Sequence, residues 1–288
     1  MEEDVYYSPP KDHDEHIKSM GKWLAIFFSS LFLIACLCFL FAHKIAAHLP
    51  FSVEKQFVKP YEVMADRWLS DQLGDPRIEA YLQELADNLA EAMELPEQIQ
   101  LSVHYVDNEE ANAFATLGGH IFVLSGLVEM MPDENSLAMI LAHEISHIKH
   151  RDPMASMGRG VVLSMLLSYF AGGSTHGENL SSLGGQLGLM TYSRQQEKRS
   201  DIDALKALHA YYGHVTGYDF FFKEMNKLHP DDESVSDWLQ THPDLPVRIE
   251  TLEKVIDANA YKLEASHPLP EKIASYLNKK EAPVPDAI

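Results

Sequence analysis

Apolar residues fall along this chain in three regimes, and each predicts a different kind of element. From Trp23 to Ala42 the sequence runs without a single charge (WLAIFFSSLFLIACLCFLFA). At about 1.5 Å rise per residue this length matches the roughly 30 Å hydrocarbon core of a bilayer, so the segment reads as one transmembrane helix. Further on, Ile78, Tyr81, Leu82, Leu85, Leu89 and Met93 recur at helical spacing behind Asp75-Pro76, an N-cap and an N1 proline. A helix to about Glu94 is expected. The period then changes to two, with Ile99, Leu101, Val103 and Tyr105 alternating with polar residues as in a half-buried strand. Ala111 to Thr116 and His120 to Ser125, joined at Leu117-Gly118-Gly119, read as a hairpin, so a small antiparallel sheet is expected.

Helical spacing returns with Leu137, Ile140, Leu141, Ile145 and Ile148, opened by Asp133 as a cap and closed by Arg151-Asp152-Pro153. Val161 to Ala171 is apolar but too short to span a bilayer and reads as a core or membrane-touching helix. Gly172 to Gly188, rich in Gly and Ser, reads as a mobile loop with His176 exposed in it. Leu189 to Tyr212, Thr216 to Leu228, Pro246 to Ala260 and Glu271 to Lys279 read as further helices. The expected organisation is a flexible polar tail over 1–22, the span over 23–42, a juxtamembrane connection over 43–74, a globular domain over 75–262, and a C-terminal helix and tail over 263–288. The fold class is α+β, predominantly helical.

Composition narrows the function. The apolar fraction of 46% and charged fraction of 23% are those of a globular protein. A net charge of −20 leaves no basic patch able to neutralise several phosphates, which argues against nucleic acid as a partner. The two cysteines, Cys36 and Cys38, both sit in the apolar run, so a metal elsewhere must be held by His and carboxylate. Leu33-Ile34-Ala35-Cys36 looks like a lipobox, but the apolar run continues to Phe41 and the preceding tail is long and acidic, which favours a retained anchor. Lys11, Lys18 and Lys22 before the span tie with Lys44, Lys55 and Lys59 after it, so charge leaves the orientation open. A lone span ahead of a large domain behaves as an uncleaved signal anchor. The expectation is a single-pass protein of a bacterial inner membrane, its domain outside the cytoplasm.

The candidate chemistry lies in His143-Glu144-Ile145-Ser146-His147. On a helix, positions i and i+4 share a face, so both imidazoles are offered to one metal ion. Glu144 stands about 100° further round, where it reaches a water at the metal without ligating the metal itself. A catalytic zinc takes three protein ligands and keeps a fourth position for water, and the best third ligand is Glu197. One turn on, Asp201 is placed to accept a hydrogen bond from the outer nitrogen of a ligating histidine and fix its tautomer.

Together these residues resemble the M48 family of zinc metallopeptidases, the group with the Ste24, Oma1 and HtpX proteases. The resemblance covers roughly Leu49 to Leu252. It rests on His143-Glu144-x-x-His147, Ser193-Arg194-x-x-Glu197-x-x-x-Asp201, Asn112-Ala113-Phe114-Ala115 with Gly118-Gly119-His120-Ile121, and Thr241-His242-Pro243 with Arg248 beyond. It implies a compact zincin (gluzincin-type) fold, one Zn²⁺ per chain on His143, His147 and Glu197, and Glu144 as the catalytic carboxylate. It also implies His242 near the metal, either stabilising an oxyanion or occupying the open zinc position in a resting state. Two departures stand out: Ser200 replaces a common alanine, with no consequence expected, and one span replaces the several of HtpX-like members.

The expected function is peptide-bond hydrolysis in protein or peptide substrates by a bilayer-anchored enzyme; the alternative is a membrane-tethered chaperone-like or peptide-binding module with a zincin fold and little turnover. Asn112, Ala113 and Phe114 form the strand edge that an extended substrate joins through main-chain hydrogen bonds. Arg248, in the first turn of a helix, occupies an ordinary place for a surface arginine.

Overall fold

The computed structural model describes residues 11–56, 58, 73–160, 192–228, 238, 242 and 245–280. The apolar run from Val161, the glycine-rich stretch with His176, and the Pro-rich tail lie outside the described residues. Helix α1 (Lys11–His48) is longer than the expected span at both ends and begins inside the stretch read as a tail. Once an apolar segment has formed a helix, each added residue gains a hydrogen bond at little further cost, so the polar run joins it. Within α1, His16–Phe41 is long and apolar enough to cross a membrane, and none of it is buried against protein.

Helix α2 (Pro76–Ala92) starts as its sequence dictates, with Asp75 accepting a hydrogen bond from the Arg77 N–H at 2.8 Å. Its apolar stripe of Ile78, Leu82, Leu85 and Leu89 is buried. Strands β1 (Ser102–Val106), β2 (Ala113–Ala115) and β3 (His120–Leu124) form one sheet in the order β1-β3-β2. The hairpin is antiparallel as expected, but β1 runs parallel to β3, so the sheet is mixed. The connection after β1 carries the chain past the place of β3, and the hairpin then returns β3 into the gap in the direction of β1. Ile99 stands outside the strand because its N–H closes a turn on the Pro96 carbonyl at 2.8 Å. The hairpin turn needs glycine: Gly119 has φ 88°, and a Cβ there would lie 2.1 Å from the Gln100 carbonyl oxygen.

A short helix α3 (Ser125–Met130), absent from the sequence reading, leads to α4 (Glu134–Lys149). Asp133 caps α4 through the Ser136 N–H at 2.8 Å. Every residue of α4 from Asn135 to Ile148 is buried, so the apolar stripe seen in the sequence is only part of a helix enclosed on all sides. Arg151, at φ 61°, breaks the helix, and residues 152–160 are helical again. Helix α5 (Arg194–Tyr212) begins later than Leu189 because Ser193 and Gln196 form a reciprocal capping box there. It ends at Gly213, φ 81°. Gly217, φ 89°, keeps the next residues out of helix, so α6 (Phe220–Leu228) is shorter than expected. Helices α7 (Leu245–Asn259) and α8 (Glu271–Lys280) complete the described chain.

The core gathers α2, the inner face of the sheet, α4, α5 and α6 around Leu82, Ile121, Leu137, Leu141, Leu205 and Phe222. Each such side chain contributes about 1.5–3 kcal/mol by burial. That enclosure keeps α4 and α5 in fixed register, and the polar residues of both meet in the middle.

Candidate metal centre

Helix α4 brings His143 and His147 to one face, as their spacing requires, and α5 lays Glu197 across it. His242 closes the cluster from the other side. The Nε2 atoms of His143 and His147 lie 3.0 Å apart, and Glu197 Oε2 and Oε1 lie 3.5 Å and 3.4 Å from them respectively. His242 Nδ1 stands 3.3 Å from His143 Nε2 and 2.9 Å from Glu197 Oε2. A tetrahedron with metal–ligand bonds of about 2.0–2.1 Å has edges of about 3.3 Å, close to these separations, and one ligand atom from each of the four residues lies within 4.8 Å of the others. All four residues are buried. Glu197 Oε1 has no hydrogen-bond partner among the described residues, as a ligand oxygen held for a cation would not. The residues fit a metal.

Two buried carboxylates orient the imidazoles from outside. His143 Nδ1 meets Asp201 Oδ1 at 2.9 Å, the contact expected from the sequence. Asp201 is gripped by Arg248, whose Nε donates to Oδ2 at 2.8 Å and Nη2 to Oδ1 at 2.6 Å. Arg248 Nη1 lies 3.0 Å from Glu197 Oε2, and the guanidinium packs over the rings of Phe222 and Trp238. At 4% exposure Arg248 is no surface residue, which corrects the reading of its place in the helix. His147 Nδ1 meets Asp152 Oδ2 at 2.9 Å, and Asp152 accepts from Gln196 Nε2 at 2.6 Å and from Arg199 Nη2. Sequence reasoning missed Asp152, Gln196 and Arg199. Asp152 follows His147 by five residues, but Arg151-Asp152-Pro153 reads as a helix stop and so hides it. Ser200 Oγ also stands 3.3 Å from His147 Nδ1. Tyr192 stacks on His147 with centroids 3.9 Å apart, and Trp238 stacks on His242.

The charges favour a cation at the centre. Burial pushes the Glu197 carboxyl up, but the His242 charge and the neighbouring His143 and His147 imidazoles outweigh it and hold the group well below the usual carboxylate range. Burial likewise pushes His147 down, yet Asp152 and Glu197 raise it to about 9. His143 is raised against its burial by Asp201 and Glu197. For His242 burial prevails and its imidazole is lowered.

Glu144 is buried beside the cluster. Its Oε2 accepts from the Ala115 N–H of β2 at 2.8 Å, while Oε1 has no hydrogen-bond partner among the described residues and lies 3.8 Å from His242 Nε2. Strand β2 lies at the edge of the sheet. The Asn112 carbonyl and the Thr116 N–H both bond to β3, so by antiparallel alternation Ala113 and Ala115 turn their main-chain groups outward. Asn112 is buried with Oδ1 unbonded among the described residues, and Phe114 packs on Phe122.

A helix carrying two histidines and a glutamate, a second helix supplying a carboxylate and a small sheet alongside define a metallopeptidase domain of the zincin type. A profile of peptidase family M48 matches residues 76–256, and the chain belongs to that family. The match begins later than the resemblance read from Leu49. Over 163 residues the chain is 27% identical to the beta-barrel assembly-enhancing protease of Escherichia coli (strain K12), covering 51% of this chain and 32% of that protein. It is 35% identical over 114 residues to a protease HtpX homolog of Acidiphilium cryptum, covering 36% and 37%. With the mitochondrial metalloendopeptidase OMA1 of Danio rerio it shares 29% identity over 213 residues, covering 68% and 44%. The chain thus spans less than half the length of each of these curated relatives.

Proposed function

We propose that this protein is a zinc-dependent endopeptidase held to a membrane by α1, with His143, His147 and Glu197 as metal ligands and Glu144 as general base. The observation that carries the proposal is the set of four buried ligand atoms within 4.8 Å of one another with a carboxylate fixed beside them. His and carboxylate donors without thiolate suit zinc. When bound, the ion supplies a Lewis acid that acidifies water and polarises a carbonyl.

The protein's own residues do the rest. The Ala115 N–H pins Glu144 Oε2, leaving Oε1 to take the proton of the attacking water and return it to the leaving amine. An extended peptide adds to β2 through the outward main-chain groups of Ala113 and the Ala115 carbonyl, the Ala115 N–H being held by Glu144, with Asn112 Oδ1 as a further acceptor and Phe114 beside it. Asp201 and Asp152 keep both imidazoles in the ligating tautomer. The domain boundaries and the placement of the domain outside the cytoplasm of a bacterial inner membrane belong to the same proposal.

Glu144→Gln in the full-length protein tests the reading. Zinc should remain at one per chain while casein cleavage falls by about a hundredfold or more. Unchanged cleavage rules the mechanism out. His242 would hold the remaining position of a bound ion, and would then have to withdraw before water could enter. A His242→Ala variant that keeps zinc and gains turnover supports this closing role, whereas retained zinc with lost turnover supports the oxyanion role.

A further inference from the structure

The segment that follows the membrane helix does more than connect. Residues 51–56 are helical, and Glu54 is buried at 3% exposure. Its Oε1 accepts from the Gly118 N–H at 2.8 Å, in the turn that joins β2 to β3. Its Oε2 accepts from Arg151 Nε at 2.8 Å, with Nη2 2.6 Å away. Arg151 also donates to the Leu49 carbonyl at 3.2 Å and lies over the Phe51 ring. One carboxylate therefore holds two pieces of chain that each adjoin the site.

Each piece is a short step from the chemistry. Gly118 follows Ala115, whose N–H fixes Glu144, by three residues. Arg151 precedes Asp152, which orients His147. A third contact points the same way: Ala46 and Val58 pack in one cluster with Leu117, Met154 and Tyr192, and Tyr192 stacks on His147. The backbone at Arg151 is telling. Its φ of 61° lies in the left-handed region, where a helix end ordinarily takes glycine or asparagine. There its side chain is held by Glu54, the Leu49 carbonyl and the Phe51 ring.

We propose that Glu54 is a positioning residue of the hydrolytic site: by tying the β2–β3 turn and the end of α4 to the base of the membrane helix, it sets where Glu144 and His147 stand. This rests on the proteolytic reading above for its effect on turnover. The anchor then completes the site as well as placing it at the bilayer.

The test uses the full-length protein in detergent micelles, loaded with zinc for turnover and with cobalt(II) for absorption spectra. Glu54→Gln and Arg151→Gln should each lower kcat on a short soluble peptide about tenfold to a hundredfold, with KM and metal stoichiometry kept. The double variant should be no worse than either single one. The cobalt bands should shift in both, since His147 moves. Lys227→Met removes an exposed tie on α6, Lys227 Nζ to Glu224 Oε1 at 2.5 Å, that involves neither Glu54 nor Arg151, and should leave kcat and spectrum as they are. Should Glu54→Gln fail to fold, Glu54→Asp carries the same comparison. Unshifted cobalt bands together with full kcat per folded, metal-loaded molecule would overturn the proposal. If the unaltered protein cleaves nothing, the proteolytic reading falls, and the cobalt spectra still decide whether Glu54 sets the geometry.

Discussion

The two histidines of the centre are braced by the same device built in two different ways. On the His143 side the brace is long-range and dry: Asp201 on α5 and Arg248 on α7, the arginine 4% exposed and shared with Glu197. On the His147 side it is largely local and wetter: Asp152 sits just past the end of α4, and Arg199 behind it is 29% exposed. A charge that water still reaches can be re-solvated when its partner goes, whereas a sealed one cannot. The two sides should therefore fail differently, and the His143 side should be the less forgiving.

The sharpest way to break that contrast is Arg248→Met, which strands Asp201 and Glu197 in the interior. It should cost about 3–5 kcal/mol in chemical denaturation and strip the metal. A loss below about 1 kcal/mol would put the two sides on a par. Next, Asp201→Asn and Asp152→Asn should each weaken zinc by about tenfold to a hundredfold in competition with a chromophoric chelator, Asp201→Asn the more. Equal losses would mean that the imidazole contact alone matters and the arginine behind it does not. Arg199→Gln should cost no more than about 1 kcal/mol, because water takes over part of its role. The smallest effect is expected at the rim, where Asp203 joins His150 at 2.7 Å. Burial would raise the Asp203 carboxyl, but the His150 bond outweighs it and holds the group low. Its contribution is present above the unfolded value near about 3.9 and lost as pH falls through the lower folded value. An acid titration of Asp203→Asn against the unaltered protein should differ by a few tenths of a kcal/mol only.

Much of the site was legible because it is written at helical spacing. His143, Glu144 and His147 are one turn of α4, and Glu197 with Asp201 is one turn of α5, so each pair is fixed by local geometry once the helix exists. Asp75, Asp133 and Gly213 marked helix ends for the same reason. Asp152 was hidden because its neighbours spell a helix stop, and Gln196 because its capping role with Ser193 says nothing of the Asp152 it also reaches. Trp238 and Glu54 carry no local signal at all. Their importance lies in what they touch, and each contact joins residues far apart along the chain.

Period, caps and charge in the amino-acid order determined the apolar helix, the course of α2, α4 and α5, and which side chains offer themselves to a metal. These depend on neighbours within a turn or two, where backbone geometry leaves few choices. Only the tertiary structure decided that β1 pairs parallel to β3, that Asp152 braces His147, and that Arg248 and Glu54 are interior ions. Those outcomes depend on which distant surfaces exclude water together, and a buried charge can exist only where another part of the chain arrives to meet it.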